Sequence, residues 1–356
     1  MIGRRILSVL FLAGAFSASA VGGDLAELDE KLRPLIRNLV AQGATEISLG
    51  GGSALAVIDH LYRGAPLAVR DVDLFAVVPN VDRSRAAGVG RSLQNALNWR
   101  YFGSRIALRG NPSLPFPDRC LYVAAYHLQM RAGGPFGLFD VSFFPARSDV
   151  GLFGVLANER LRIPMGSEGL APLERMAKKY AYEKLVEQGQ VVDTHGGYES
   201  WTRGELRVVE ATDLECNPAL MAVRLLRAYS KVGQDGLPLP LEAELARRIQ
   251  AQVGMRLVPD GLEFGAIRVP WAVRKMFGDP DPLPAIRRIS EMGVVNHWPQ
   301  ELEKHFLSLP RTEKVVLASA PVDFEWGRTS AAGVTTWTCG GLLLGPIAAV
   351  RSSLRQ

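Results

Sequence analysis

Two aspartates, Asp71 and Asp73, stand one residue apart at the head of the apolar run Leu74-Phe75-Ala76-Val77-Val78. Side chains alternate along a strand, so both carboxylates emerge on one face while Val72 and Leu74 point to the other. Two anions side by side repel unless a cation lies between them, and a divalent metal with hard oxygen ligands meets that demand. A third aspartate, Asp140, is the only charged residue in FGLFDVSFF (136–144). An ionised carboxylate there is costly unless it is paired or metal-bound. Upstream, Gly50-Gly51-Gly52-Ser53 reads as a turn after the apolar TEISL, and Leu55, Ile58 and Leu61 then recur at helical spacing. Glycines let backbone N–H groups approach a phosphate closely, and a helix N-terminus adds a favourable dipole. Arg70 is placed to orient the aspartate pair as an ion-pair partner. Either half alone also describes a Gly-rich loop or a solvated, Arg-paired Asp couple; their order in the chain carries the reading.

The elements that must position these residues are legible from periodicity and punctuation. Leu25, Leu28, Leu32, Ile36 and Leu39 predict a helix over 24–42, with Pro34 as a kink or break. TEISL begins a sheet, FAVV continues it, and Asp82 to Leu97 reads as a second helix. Two extended runs, RYFGSRIALRG and CLYVAAYHLQMR, flank the turn-rich NPSLPFPDR, and Gly133-Gly134-Pro135 precedes the Asp140 strand. The prediction is an α/β (α+β) domain with a mixed sheet over 24–165. A mainly helical domain follows over 166–310, then a tail over 311–356. Within the helical part, PLERMAKKYAYEKLVEQ has Leu173, Met176, Tyr180 and Leu185 as its apolar face, and Lys178 and Lys179 either reach a phosphate or form a solvated face. Residues 191–215 read as a polar loop or hairpin. Later helices are expected over Val269–Met276, Pro284–Met292 and Pro299–Leu307.

With 356 residues, 47% hydrophobic and 22% charged, the chain has an ordinary globular composition and room for two cores. Arg4 and Arg5, the apolar ILSVLFLAGAF and the small Ala18-Ser19-Ala20 form a secretory signal over 1–20, with an uncleaved membrane anchor as the alternative. That segment carries two arginines and no acid, so its removal lowers the formal charge from +5 to +3. So small an excess permits nucleic acid or triphosphate binding without arguing for it. Cys120, Cys216 and Cys339 allow one disulfide, and the five scattered histidines argue against zinc. The stretch 331–350 is uncharged and long enough to span a bilayer, though its Thr, Gly and Pro content equally suits a packed tail.

A Gly-Ser turn, a helix and then Asp-x-Asp on a strand resembles the polymerase-β-like nucleotidyltransferase superfamily. The resemblance covers about 44–145. It implies that Gly51, Gly52 and Ser53 hold a nucleoside triphosphate and that Asp71, Asp73 and Asp140 hold magnesium or manganese ions. It also implies transfer of a nucleotidyl group to a hydroxyl of RNA, protein or a small molecule. A second resemblance, over 217–250, is to the neck of bacterial poly(A) polymerases and CCA-adding enzymes. Pro218, Arg224, Arg227, Ala228 and Gly233 occupy matching places, and Arg224 and Arg227 would hold the head or a phosphate. That family's Arg-Arg-Asp-Phe-Thr motif has no counterpart in DVGLFGVLANERLRIP (149–164). The GGSALA opening is equally similar to abortive-infection nucleotidyltransferase toxins. The reading from another class is a binding protein on this fold without catalysis.

Overall fold

The computed structural model describes residues 24–67, 69, 71–109, 111–115, 122–209, 212–216, 218–231, 236–252, 272, 283–292, 315–318, 326–331, 334–339 and 342–345. The signal segment, Arg70, and the helices expected at 269–276 and 299–307 (Ala272 apart) lie outside these. The chain divides into two compact units with the boundary at Gly265.

The first unit is mixed α/β. Helix α1 (Leu25–Ala41) is capped by the Asp24 carboxylate, which accepts from the Glu27 N–H at 2.6 Å. It runs as one helix through Pro34, where a break was one expectation, because its apolar stripe stays buried on both sides of the proline. Strand β1 (Glu46–Gly50) passes directly into α2 (Gly51–Arg63). The glycines are therefore not a free-standing turn: Gly50 ends the strand, and Gly51 opens the helix with φ +54, a left-handed backbone that a side chain disfavours. There follow β2 (Val72–Val77), α3 (Arg83–Leu97, capped by Asp82), β3 (Arg100–Arg109), β4 (Tyr122–Arg131), β5 (Leu138–Phe144), the short α4 (Arg147–Val150), a 3₁₀ turn (Ala157–Arg160) and β6 (Arg162–Pro164). The six strands form one sheet in the order β3-β4-β5-β2-β1-β6, antiparallel except where β2 and β5 run parallel.

Alternation along the central strands sorts the two faces. Val72, Leu74 and Ala76 join Val141 and Phe143 in the larger core with α1, α2 and α3. On the opposite face Phe75, Val77 and Phe144 pack with Phe153 in a smaller core. Asp73 and Asp140 share that second face, two residues before Phe75 and beside Ser142, and lie where its apolar packing ends.

The segment read as one helix over 172–188 is two, α5 (Ala171–Ala177) and α6 (Tyr182–Glu187), because Ala181 is extended. Leu173 and Leu185 are buried, whereas Tyr180 is exposed and Lys178 forms a surface pair with Glu174. These helices pack into the same core as the sheet. Asp29 of α1 ties them on: its buried carboxylate pairs with Arg33 and accepts the Leu170 N–H at 2.5 Å. The stretch read as a loop over 191–215 holds α7 (Gly197–Thr202), started by Asp193, which accepts from the N–H groups of Gly197 and Tyr198 and from the Tyr182 hydroxyl. Then come α8 (Thr212–Cys216), α9 (Pro218–Lys231) and α10 (Leu239–Gln252). Cys216 is disulfide-bonded.

The second unit contains α11 (Leu283–Glu291), at the helix expected from Pro284, and a four-stranded antiparallel sheet. Its strands are β7 (Val315–Ala318), β8 (Trp326–Ala331), β9 (Val334–Cys339) and β10 (Leu342–Gly345), in the order β7-β10-β9-β8. The uncharged stretch that could have spanned a bilayer as a helix is thus largely strand, as the β-branched VTTWT favours. Among the described residues no helix is long and apolar enough to cross a membrane.

Candidate metal and nucleotide site

The three aspartates singled out from sequence converge. Asp73 of β2 and Asp140 of β5 are direct partners across the parallel pair. With Asp71 just before β2, they bring one carboxylate oxygen each to within 4.8 Å of one another, all half-buried. Three carboxylates offering only hard oxygen ligands are the donor set of Mg2+ or Mn2+, and without a cation they repel. Among the described residues this is the only cluster of its kind. Arg70, read as an orienting ion-pair partner, lies outside the described residues.

Ser53 has a different place from the one expected of a phosphate donor. It is 1% exposed. Its hydroxyl donates to the Asp71 carbonyl at 2.9 Å and accepts from the Asp73 N–H at 2.9 Å. A hydroxyl has one proton to give, and here it is given to the backbone of the aspartate segment. Ser53 therefore clamps α2 onto the two residues that present the carboxylates. Replacing it with alanine removes both bonds and leaves two half-buried backbone groups without this partner. We expect Ser53→Ala to cost about 1–2 kcal/mol in denaturant unfolding and about tenfold in Mn2+ affinity measured by titration. A variant that loses stability but keeps full affinity would show the clamp to be structural only.

The glycines also divide their roles. The Gly51 N–H is bonded to the Leu161 carbonyl at 3.1 Å. A Cβ on Gly51 would lie 3.6 Å from the Asp73 carboxylate and 3.8 Å from the Glu159 carbonyl, so this glycine sits against the aspartate cluster. Gly52 is exposed, with nothing within 4 Å of a Cβ built on it. The helix N-cap, Gly50, has no side chain to accept from the first turn. That leaves the N–H groups of Gly52 and Ser53 as the uncapped donors at the positive end of α2.

Residues that sequence reasoning passed over complete the surroundings. Gln129 of β4 stands opposite Asp140 and donates from Nε2 to its Oδ1 at 3.2 Å, which orients that carboxylate. Glu159, in the 3₁₀ turn beside Gly51, accepts from the Val155 and Leu156 N–H groups through Oε2 and from Arg224 Nη2 at 3.2 Å through Oε1. Arg224, one of the two α9 arginines given a head-holding or phosphate-holding role, thus holds the turn that flanks the glycines. Neither Gln129 nor Glu159 lies in a recognisable motif; only the register of β4 on β5 and the packing of α9 reveal them.

A cleft of about 440 Å³ opens at Gly52 and runs beside α2, walled on its far side by the 3₁₀ turn, α7 and α9. A second cleft, of about 540 Å³, contains His195 and Arg207. Burial, with Arg160 and Arg207 nearby, holds the His195 imidazole below its ordinary pKa. No protein-family model matches the chain, and no curated protein matches it.

Proposed function

We propose that the chain is a metal-dependent nucleotidyltransferase of the polymerase-β-like kind, its catalytic head built on the six-stranded sheet and helices α5 to α10, which share its compact unit, flanking that head as accessory elements. One observation carries the reading: Asp71, Asp73 and Asp140 converge within 4.8 Å at the open end of a strand–Gly-Gly–helix junction. Carboxylates for a divalent ion and uncapped N–H groups for a phosphate then lie on either side of Gly51.

In this reading the Gly52 and Ser53 N–H groups receive the β- and γ-phosphates, and the three aspartates hold the ions. When bound, magnesium or manganese lowers the pKa of an attacking hydroxyl and stabilises the departing pyrophosphate. Asp140, oriented by Gln129, either completes the ligand set or takes the hydroxyl proton. The hydroxyl oxygen bonds to the α-phosphorus as the α–β anhydride bond breaks and pyrophosphate leaves. Residues 1–20, read as an export signal, would place this activity outside the cytoplasm and bring it to triphosphate inside another cell.

The test is incubation of the protein with Mg2+ or Mn2+ and each labelled nucleoside triphosphate, beside Asp71→Ala/Asp73→Ala. The wild type should transfer label and release pyrophosphate, the variant neither, and the labelled product names the acceptor. Metal-dependent triphosphate binding without turnover would point instead to a binding protein on this fold. Absence of both would remove the nucleotide reading.

A further inference from the structure

The cleft that starts at Gly52 has a direction. Gly52, Leu55, Ala56 and Asp59 line it at i, i+3, i+4 and i+7, so one face of α2 forms its floor. Leu156, Trp201 and Leu206 line it together with the polar Asn158 and Glu159, leaving a slot of mixed character with an indole among its walls. Its two ends differ in chemistry. At Gly52 it reaches the positive end of the helix, next to Gly51, whose Cβ position lies 3.6 Å from the Asp73 carboxylate. Seven residues on, roughly 10 Å along the axis, Asp59 lines it, with Ala65 and Pro66 beyond. Asp59 accepts a long 3.3 Å bond from Arg63, and among the described residues no other donor reaches its carboxylate. A carboxylate only accepts hydrogen bonds.

A molecule that fits this slot is anionic at one end, flat and largely apolar in the middle, and carries N–H donors at the other. About 440 Å³ is the size class of a small-ligand site and suits one nucleoside. Resting on the nucleotidyltransferase reading, we propose that the slot holds the nucleoside of the bound triphosphate, and that Asp59 selects bases whose outer edge presents N–H donors. Guanine offers a ring N–H and an amino group, and cytosine and adenine each offer an amino group. Uracil sets two carbonyl oxygens around its single N–H and meets the carboxylate with repulsion. Asp59 is a specificity residue and touches no reacting atom.

The experiment is equilibrium binding of Mn2+ with non-hydrolysable analogues of the four nucleoside triphosphates to the full chain, followed by the same set with Asp59→Asn. The wild type should bind the uridine analogue about tenfold more weakly than the guanosine analogue. In Asp59→Asn the gap should close, because an amide offers a donor as well as an acceptor. Ala56→Phe, which fills the middle of the slot, should weaken all four while leaving Mn2+ binding without nucleotide unchanged. Equal affinity for all four in the wild type, a preference that survives Asp59→Asn, or nucleotide binding indifferent to Ala56→Phe would each overturn the assignment and leave the nucleotidyltransferase reading standing. No metal-dependent binding of any analogue would overturn both.

Discussion

Asp73→Asn should lower Mn2+ affinity by more than the roughly 10–100-fold that loss of an outer supporting residue costs a metal site, and should abolish label transfer. The same substitution should change how stability responds to the ion. An ion that binds only the folded state stabilises it in proportion to the logarithm of its concentration over Kd. Saturating Mn2+ should therefore raise the melting temperature of the wild type above its value in EDTA and leave that of the variant nearly unmoved. Thermal melts of both proteins, with and without the ion, test this. An equal rise in both would mean that the ion binds away from this carboxylate.

The second large effect belongs to Gly50. Its backbone is ordinary extended strand, φ −127, so a side chain is excluded there by space alone. A Cβ would lie 2.4 to 2.8 Å from three ring carbons of Phe75. That ring cannot yield freely, because it packs edge-on against Phe144 at 5.5 Å and beside Phe153 at 5.9 Å. Gly50→Ala should cost about 2–3 kcal/mol by overpacking, a fall in Tm of roughly 5–10 °C for a unit of this size. Gly52→Ala should show the converse profile. Nothing lies near its added methyl, and alanine is the better helix former, so stability should hold or rise by up to about 1 kcal/mol. Triphosphate binding should fall, because the methyl enters the mouth of the slot. If both variants lose stability and binding equally, the glycines share one structural role and the division drawn between them fails.

Much of this site was legible because its signals are local. Alternation puts Asp71 and Asp73 on one side of a strand, and Asp140 is conspicuous as a lone charge among phenylalanines. Asp24 and Asp82 precede helical periodicity and do cap α1 and α3. What was missed depends on packing between segments far apart in the chain. Asp59 looks like any solvated helix residue until α7 and α9 close over that side of α2. Trp201 falls in a stretch too polar to read as structure, and its helix starts on a carboxylate, Asp193, four residues before Gly197. Ser53 was given to the triphosphate by the resemblance, and only the path of the chain from Asp71 to Asp73 shows where its hydroxyl proton goes. The break at Ala181 has no glycine or proline to mark it. The uncharged tail was left open between a bilayer span and a packed tail, because composition speaks for length and only strand pairing decides between them.

The parallel pairing of β2 with β5 also bears on the order in which the protein acquires its parts. Asp73 and Asp140 are neighbours in space, yet α3 and the β3–β4 hairpin are threaded between them in sequence. During synthesis the chain thus holds its glycines and its first aspartate pair well before the third carboxylate has been made. A nascent chain ending before Leu138 lacks both Asp140 and the strand that seats it. The three-carboxylate cluster is therefore a property of the assembled sheet, completed late, and a half-made chain lacks the geometry proposed to hold an ion.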